Sequence, residues 1–144
     1  MIDRAGIAAL IPHAGTMCLL DQVTEWDARS IRCRAVSHRD PANPLAVEGR
    51  LGAACGVEYA AQAMALHGGL TGAVDGRPAA GYLASLRALV LRVERLDDLA
   101  GDLIVEARRL AGEAASVSYQ FSLSHAGQQL LSGRAAVILD AGDA

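Results

Sequence analysis

Glu58 is the residue whose chemistry most needs explaining, because it stands in Cys55-Gly56-Val57-Glu58-Tyr59-Ala60-Ala61-Gln62, a stretch otherwise almost without charge. Burying an unpaired carboxylate costs several kcal/mol unless it is protonated or hydrogen-bonded. Desolvation raises a carboxyl pKa, which is the property wanted of a general acid near neutral pH. The competing reading is a structural Glu bonded to a neighbouring strand or lying on an exposed helix face. Gln62 follows one helical turn later on the same face, where it can orient the carboxyl, bind a ligand carbonyl, or serve as an interface or capping amide. Gly52, Ala53, Ala54 and Gly56 leave the start of that segment bare. Backbone N–H groups there could face a developing oxyanion, or the small residues could simply let a helix fit a tight sheet.

The four histidines, His13, His38, His67 and His125, form no cluster at metal-ligand spacing, so no metal is expected. His67 is expected to face the C-terminal end of the helix dipole, and His125 to lie exposed in a turn. His13, in Leu10-Ile11-Pro12-His13, and His38, before a Pro-rich loop, remain as candidate bases. Cys18, Cys33 and Cys55 lack the spacing of a metal knuckle or redox pair and read as free thiols of a reducing cytoplasm.

The elements that must position these residues follow from periodicity. Ile2 to Leu10 allows a short lead-in helix ended by Pro12. Met17 to Trp26 and Ser30 to Ser37 flank Asp27-Ala28-Arg29, and Ile31, Cys33 and Ala35 alternate with Arg32 and Arg34, the pattern of a half-buried hairpin strand. His38 to Gly52 is a loop bent at Pro41, Pro44, Gly49 and Gly52. Ala53 to His67 is rich in helix formers and apolar nearly all round, so it predicts a helix wrapped by other elements and carrying Glu58 near its middle. Gly68, Gly69, Gly72 and Gly76 are expected to end it. Strands are predicted at Ala80 to Leu96, Asp102 to Leu110, Ala115 to Ser124 and Gln129 to Leu139, with turns at Asp97-Asp98, Ala111-Gly112 and His125-Ala126-Gly127. The order β-β-α-β-β-β-β is an α+β pattern, one central helix wrapped by a curved antiparallel sheet, in a single domain over residues 1–144.

The composition, 52% hydrophobic and 20% charged, is that of a globular chain. A net charge of -3, with 13 basic residues, all arginine and all scattered, argues against nucleic acid. The absence of lysine excludes Schiff-base chemistry. No long apolar run suggests a signal peptide or membrane span.

Three segments in order resemble the hotdog 3-hydroxyacyl-ACP dehydratases: Leu10-Ile11-Pro12-His13 with Met17-Cys18-Leu19-Leu20-Asp21, then Gly56-Val57-Glu58-Tyr59-Ala60-Ala61-Gln62-Ala63, then Gly81-Tyr82-Leu83. The resemblance covers most of the chain and is closest to the aryl polyene branch, where Asn43-Pro44-Leu45, a Gly two residues before the acid and Ala60-Ala61-Gln62 fall together. It implies a hotdog fold and a cofactor-free lyase converting 3-hydroxyacyl to trans-2-enoyl thioesters in aryl polyene or fatty-acid-type biosynthesis. It also implies an acyl carrier protein as partner, and a homodimer or a heterodimer with a related hotdog dehydratase. In that reading Glu58 is the catalytic acid, His13 the candidate base, and Gln62, Gly56 and Asn43 touch substrate. The family pairs its acid with a loop His, but Asn43-Pro44-Leu45 stands where the family has His-Phe-Pro, and residues 40–55 contain no His. The alternative is therefore a catalytically silent hotdog subunit that stabilises or completes an active partner. A hotdog thioesterase using Glu58 to activate water is the third reading. With one Phe, one Trp and three Tyr, a substrate tunnel would be walled mainly by aliphatic side chains.

Overall fold

The computed structural model describes residues 1–11, 17–72, 80–112 and 116–140, and His13 lies outside them. The chain begins with a two-residue strand β1 (Ile2–Asp3) and helix α1 (Arg4–Leu10). Asp3 caps α1, its side chain accepting the Gly6 N–H at 3.0 Å, so one of the unpaired amides of the first turn is satisfied. The first hairpin, β2 (Gln22–Trp26) and β3 (Ser30–Ala35), turns where Asp27 accepts the N–H groups of both Arg29 and Ser30 at 2.8 Å. Those two bonds stabilise the ionised carboxylate and hold its pKa below the ordinary value.

A 3₁₀ turn (Ala53–Cys55) leads into the long helix α2 (Gly56–Gly72). Two expectations are corrected here. The helix runs through Gly68 and Gly69 to Gly72 instead of ending near His67, because the fully buried His67 and Leu66 anchor its last turns in the core. Glycine costs a helix about 1 kcal/mol per residue, an amount that burial of such side chains outweighs. Since the α-helical part begins only at Gly56, Glu58 stands in its first turn and not near its middle.

Strands β4 (Ala80–Leu91), β5 (Leu103–Gly112), β6 (Ser116–His125) and β7 (Gln128–Asp140) complete one antiparallel sheet in the order β1-β2-β3-β5-β6-β7-β4. The β6–β7 turn is a two-residue hairpin with both Ala126 and Gly127 at positive φ, matching the twist of its strands. The four strands after the helix are thus not a simple meander. β4 crosses to the far edge and pairs with β7, while β5 returns beside β3.

The helix packs against β3, β4, β5 and β6. Alternate residues of the strands, among them Ile31, Cys33, Val105, Tyr119, Phe121 and Leu131, are buried. Two glycines make the fit close. A side chain at Gly56 would come within 2.6 Å of Leu131, and one at Gly133 within 2.8 Å of the Phe121 ring. Desolvation in this core raises the Cys33 thiol to about 12.

Candidate active site

The chain leading into α2 is fixed to the segment that leaves the edge strand β4. Leu96 donates to the Leu51 carbonyl at 2.8 Å, Ala53 donates to that of Glu94 at 3.0 Å, and Leu51 donates to Asp97 at 2.8 Å. Arg95 completes the clamp on Asp97, and these bonds hold its carboxyl well below the usual range. The first turn of α2, with Glu58, is thereby held close to the open edge of the sheet.

Glu58 is exposed in the single chain, against the expectation of a buried carboxylate. The reason lies in how the helix divides its surface. Tyr59, Ala60, Gln62, Ala63, Met64, Leu66 and His67 are buried. Val57, Ala61, Ala65 and Gly68, at helical spacing, are only half-buried beside the exposed Glu58. The apolar character that ran all round the sequence is therefore used on one side by this chain's own sheet and left open on the other.

Behind Glu58 the structure is fully hydrogen-bonded. The Gln62 side chain is buried, accepts the Leu19 N–H at 2.9 Å and donates to the Met17 carbonyl at 2.6 Å, so it ties the segment after residue 16 to the helix. A second chain of bonds runs beside it. Asn43 donates to the Tyr59 hydroxyl at 3.1 Å; Tyr59 and Ser37 share a 2.8 Å bond; Ser37 donates to the Leu19 carbonyl at 2.6 Å. Because Ser37 spends its proton on Leu19, Tyr59 is the donor to Ser37, and every member of the chain is satisfied. Burial raises the Tyr59 pKa, so its phenol stays protonated. Asn43 also donates to the Ser37 carbonyl and accepts the Leu45 N–H, both at 2.9 Å, so its amide is fully engaged in shaping the loop.

The expected backbone donors are largely occupied. Ala53 N–H serves Glu94, Cys55 N–H serves Gly52, and Gly56 N–H turns back to Ala53 and Ala54. Gly56 acts in this structure as a spacer against Leu131. The structure thus brings Glu58, Gln62 and Gly56 onto one helical turn and a half and places Asn43 next to them through Tyr59.

Two buried histidines occupy places the sequence did not indicate. His67, expected to face the C-terminal end of the helix dipole, is fully buried and turned into the sheet instead: its Nδ1 meets the Tyr119 hydroxyl at 2.7 Å and its Nε2 the Asp27 carbonyl at 2.8 Å. The Asp27 carbonyl can only accept, so Nε2 carries the proton and Tyr119 donates to Nδ1. His38 donates from Nε2 to the Leu99 carbonyl at 3.0 Å, and its buried Nδ1 meets no donor among the described residues. Burial lowers both pKa values. His125 is half-buried, with Nε2 on the Ala100 carbonyl. Of the Ser37–Asn43–Tyr59 network the sequence singled out Asn43 alone, as a substrate contact, and not Ser37 or the Tyr59 hydroxyl to which it is bonded. Among the described residues no group of His, Cys, Asp and Glu is arranged to hold a metal ion, and no helix is long and apolar enough to cross a membrane.

Comparison with known proteins supplies the context for this geometry. A family model described as ApeP-like, ApeP dehydratase, matches residues 5–142. Among solved structures, the dehydratase heterocomplex ApeI:P from Xenorhabdus doucetiae superposes with a TM-score of 0.80 at 24% identity, covering 93% of this chain and 90% of that one. A mutant thioesterase, PA1618, from Pseudomonas aeruginosa gives 0.69 at 16% identity over 96% and 94%. Thioesterase HI1161 from Haemophilus influenzae gives 0.68 at 10% over 97% and 92%. The hotdog fold is common to them all. No curated protein matches the chain.

Proposed function

Because the chain belongs to the ApeP-like dehydratase family, we propose that it works as one half of a 3-hydroxyacyl-ACP dehydratase whose site closes only when a second hotdog subunit covers the open flank of α2. The observation that carries this reading is the coincidence of three uncovered features. Glu58 is exposed, and the helical stripe of Val57, Ala61 and Ala65 beside it is half-covered. Leu83, Leu86 and Leu91 are exposed, and they pair with Val137, Ala135 and Leu131, the buried row of β7, so they stand on the helix side of the edge strand. A subunit adding its own strand to β4 satisfies that edge, covers those leucines and encloses Glu58 between the two chains. Enclosure supplies the desolvation that the single chain lacks and turns Glu58 into a proton donor.

The reaction is a balanced elimination. A base removes the proton α to the thioester carbonyl, the electrons form the Cα–Cβ double bond, and the β-hydroxyl leaves as water with the proton given by Glu58. The proton held by the base then returns to the carboxylate. We assign the base to His13. Gln62 lies four residues after Glu58 on the helix and holds the Met17 carbonyl, and the four residues from His13 to Met17 reach at most about 14 Å. The carrier is an acyl carrier protein, and the aliphatic leucines of β4 suit an acyl chain in a tunnel between subunits.

The engaged Asn43 side chain favours a second reading, a silent subunit that completes an active partner, since the loop where the family has its His holds only a structural amide. Assaying 3-hydroxyacyl-ACP with the chain alone, and again mixed with a dehydratase partner of the related type, separates the two. Turnover by the chain alone supports a self-sufficient homodimer. Turnover only in the mixture, retained when His13 is replaced, supports the silent-subunit reading. No gain over the partner alone removes both.

A further inference from the structure

The connector between β4 and β5 straps both ends of the loop that precedes α2. At the far end it fixes Leu51, whose carbonyl accepts the Leu96 N–H and whose own N–H is accepted by Asp97, both at 2.8 Å. At the near end two imidazoles take successive carbonyls of the connector: His38 Nε2 donates to Leu99 at 3.0 Å, and His125 Nε2 donates to Ala100. Gly101, at φ +91°, turns the chain directly after those carbonyls, in a conformation that other residues adopt only with strain. Between the two ends, residues 39–50 are mostly exposed, and Asn43 alone among them is buried. Asn43 donates to the Tyr59 hydroxyl and the Cys55 thiol lies 3.9 Å from the Leu45 carbonyl, so the loop rests on the turn of chain that carries Glu58.

Of the two imidazoles, only His38 is closed off from water. It is 1% exposed and its Nδ1 has no hydrogen-bond partner among the described residues, whereas His125 is half-buried. The neutral ring is accommodated, because its one N–H donates to Leu99. An imidazolium carries two N–H groups, and turning the ring only exchanges which of them faces Leu99. The surrounding charges give little relief. Arg39 on the same turn and His125 at the end of β6 oppose a further positive charge. Asp102, ahead of β5, favours one but pairs with Arg34 of β3 at 3.3 Å. Asp97 is engaged by Arg95 and Leu51, and Asp40 accepts the Ala42 N–H at 2.8 Å. Desolvation outweighs the rest and pushes His38 below its ordinary value.

We propose that His38 is the acid-sensitive release of a latch: while neutral it holds the connector against Ser37–Arg39 and keeps loop 39–50 seated on the first turn of α2, and when protonated it frees both. A buried N–H without an acceptor is costly, and the imidazolium meets water once the connector draws away from the Ser37–Arg39 turn. The opening is local. The loop has one buried side chain to lose, whereas β3, β5, β6 and β7 are joined by continuous ladders. Ser37 precedes His38 and shares a 2.8 Å bond with Tyr59, so movement of the turn passes directly to the residue beside Glu58. Acid thus opens the loop beside the candidate site without unfolding the sheet, whatever reaction that site performs.

Amide hydrogen exchange of the full chain, read residue by residue by NMR and corrected for the intrinsic pH dependence of exchange, tests the latch. The hydrogen-bonded amides of Asn43, Leu45, Ala46, Val47, Arg50 and Leu51 should lose protection about tenfold from pH 7.5 to pH 5, because an opened His38 takes up protons around 6.5 and the seated one refuses them. Amides of β5 and β6 should keep theirs over the same range. His38→Gln keeps a donor for Leu99 and cannot be protonated, so its loop protection should not change with pH. His125→Gln should leave the wild-type loss in place. The imidazole carbon shifts of wild-type His38 should titrate below 6.5, a reading that stands even if His38→Gln does not fold. Loop protection that ignores pH, a loss shared equally by β5 and β6, a loss retained in His38→Gln or removed by His125→Gln, or a His38 titration at or above 6.5 overturns the latch.

Discussion

A single amide, Gln62, fixes more of the site than its polarity suggests. Its side chain satisfies one donor and one acceptor of the segment Met17–Leu19, and each buried backbone group left unpaired costs about 1–3 kcal/mol. Gln62→Leu should therefore lower stability by about 2–4 kcal/mol, read as a reduced Tm in the absence of any ligand; an unchanged Tm would return Gln62 to substrate binding. The buried histidines make a second residue-scale prediction. Both are held neutral by burial, below the ordinary value of 6.5. Between that value and the depressed native ones the unfolded chain takes up protons that the native chain refuses, so stability present above pH 6.5 is lost as pH falls. Tm should drop from pH 7.5 to pH 5, and His38→Gln should flatten part of the drop, because protonating His38 adds an N–H for which no acceptor stands ready. A pH profile identical to wild type would show His38 takes no part. At this scale the sequence pointed to the lone acid on an apolar helix and to its neighbour Gln62. It could not show that Asn43, Tyr59 and Ser37 share one proton chain, because those contacts join residues brought together only by the fold.

The strands and the helix were largely legible because their periodicities are local. The alternation of Ile31, Cys33 and Ala35 and the turn at Ala126-Gly127 reappear in β3 and in the β6–β7 hairpin. The end of α2 was not legible, since glycine propensity argued one way and tertiary packing around His67 decided the other. Strand pairing was no easier: β4 reads like any other strand, and only the sheet order reveals it as the open edge. That edge should be the assembly surface. Leu86 is 38% exposed on the helix side of β4, so Leu86→Glu should leave the fold intact by circular dichroism while converting the assembled species to monomer by light scattering at micromolar concentration. A variant that stays assembled would move the interface elsewhere.

The molecule as a whole is arranged around what it leaves uncovered. Its core is complete on the side where α2 meets the sheet. The flank of α2 is half-buried and the leucines of β4 are exposed, the surfaces that the proposed second subunit would cover. This explains why reading one chain as a self-contained enzyme expects a buried acid that the single chain does not bury. Family membership, fold and the helix bearing Glu58 were all accessible from order and spacing of motifs. The half-buried flank that this chain leaves on an apolar helix was not, because sequence records that a residue is apolar and not what covers it. The account's central claim is that Glu58 gives up a proton once a partner encloses it. It is tested most directly by Glu58→Gln in the assembled complex with 3-hydroxyacyl-ACP, which keeps the side chain's shape and removes the transferable proton. Turnover should fall by about 10²- to 10⁴-fold with Tm and assembly unchanged; turnover equal to wild type would contradict the account.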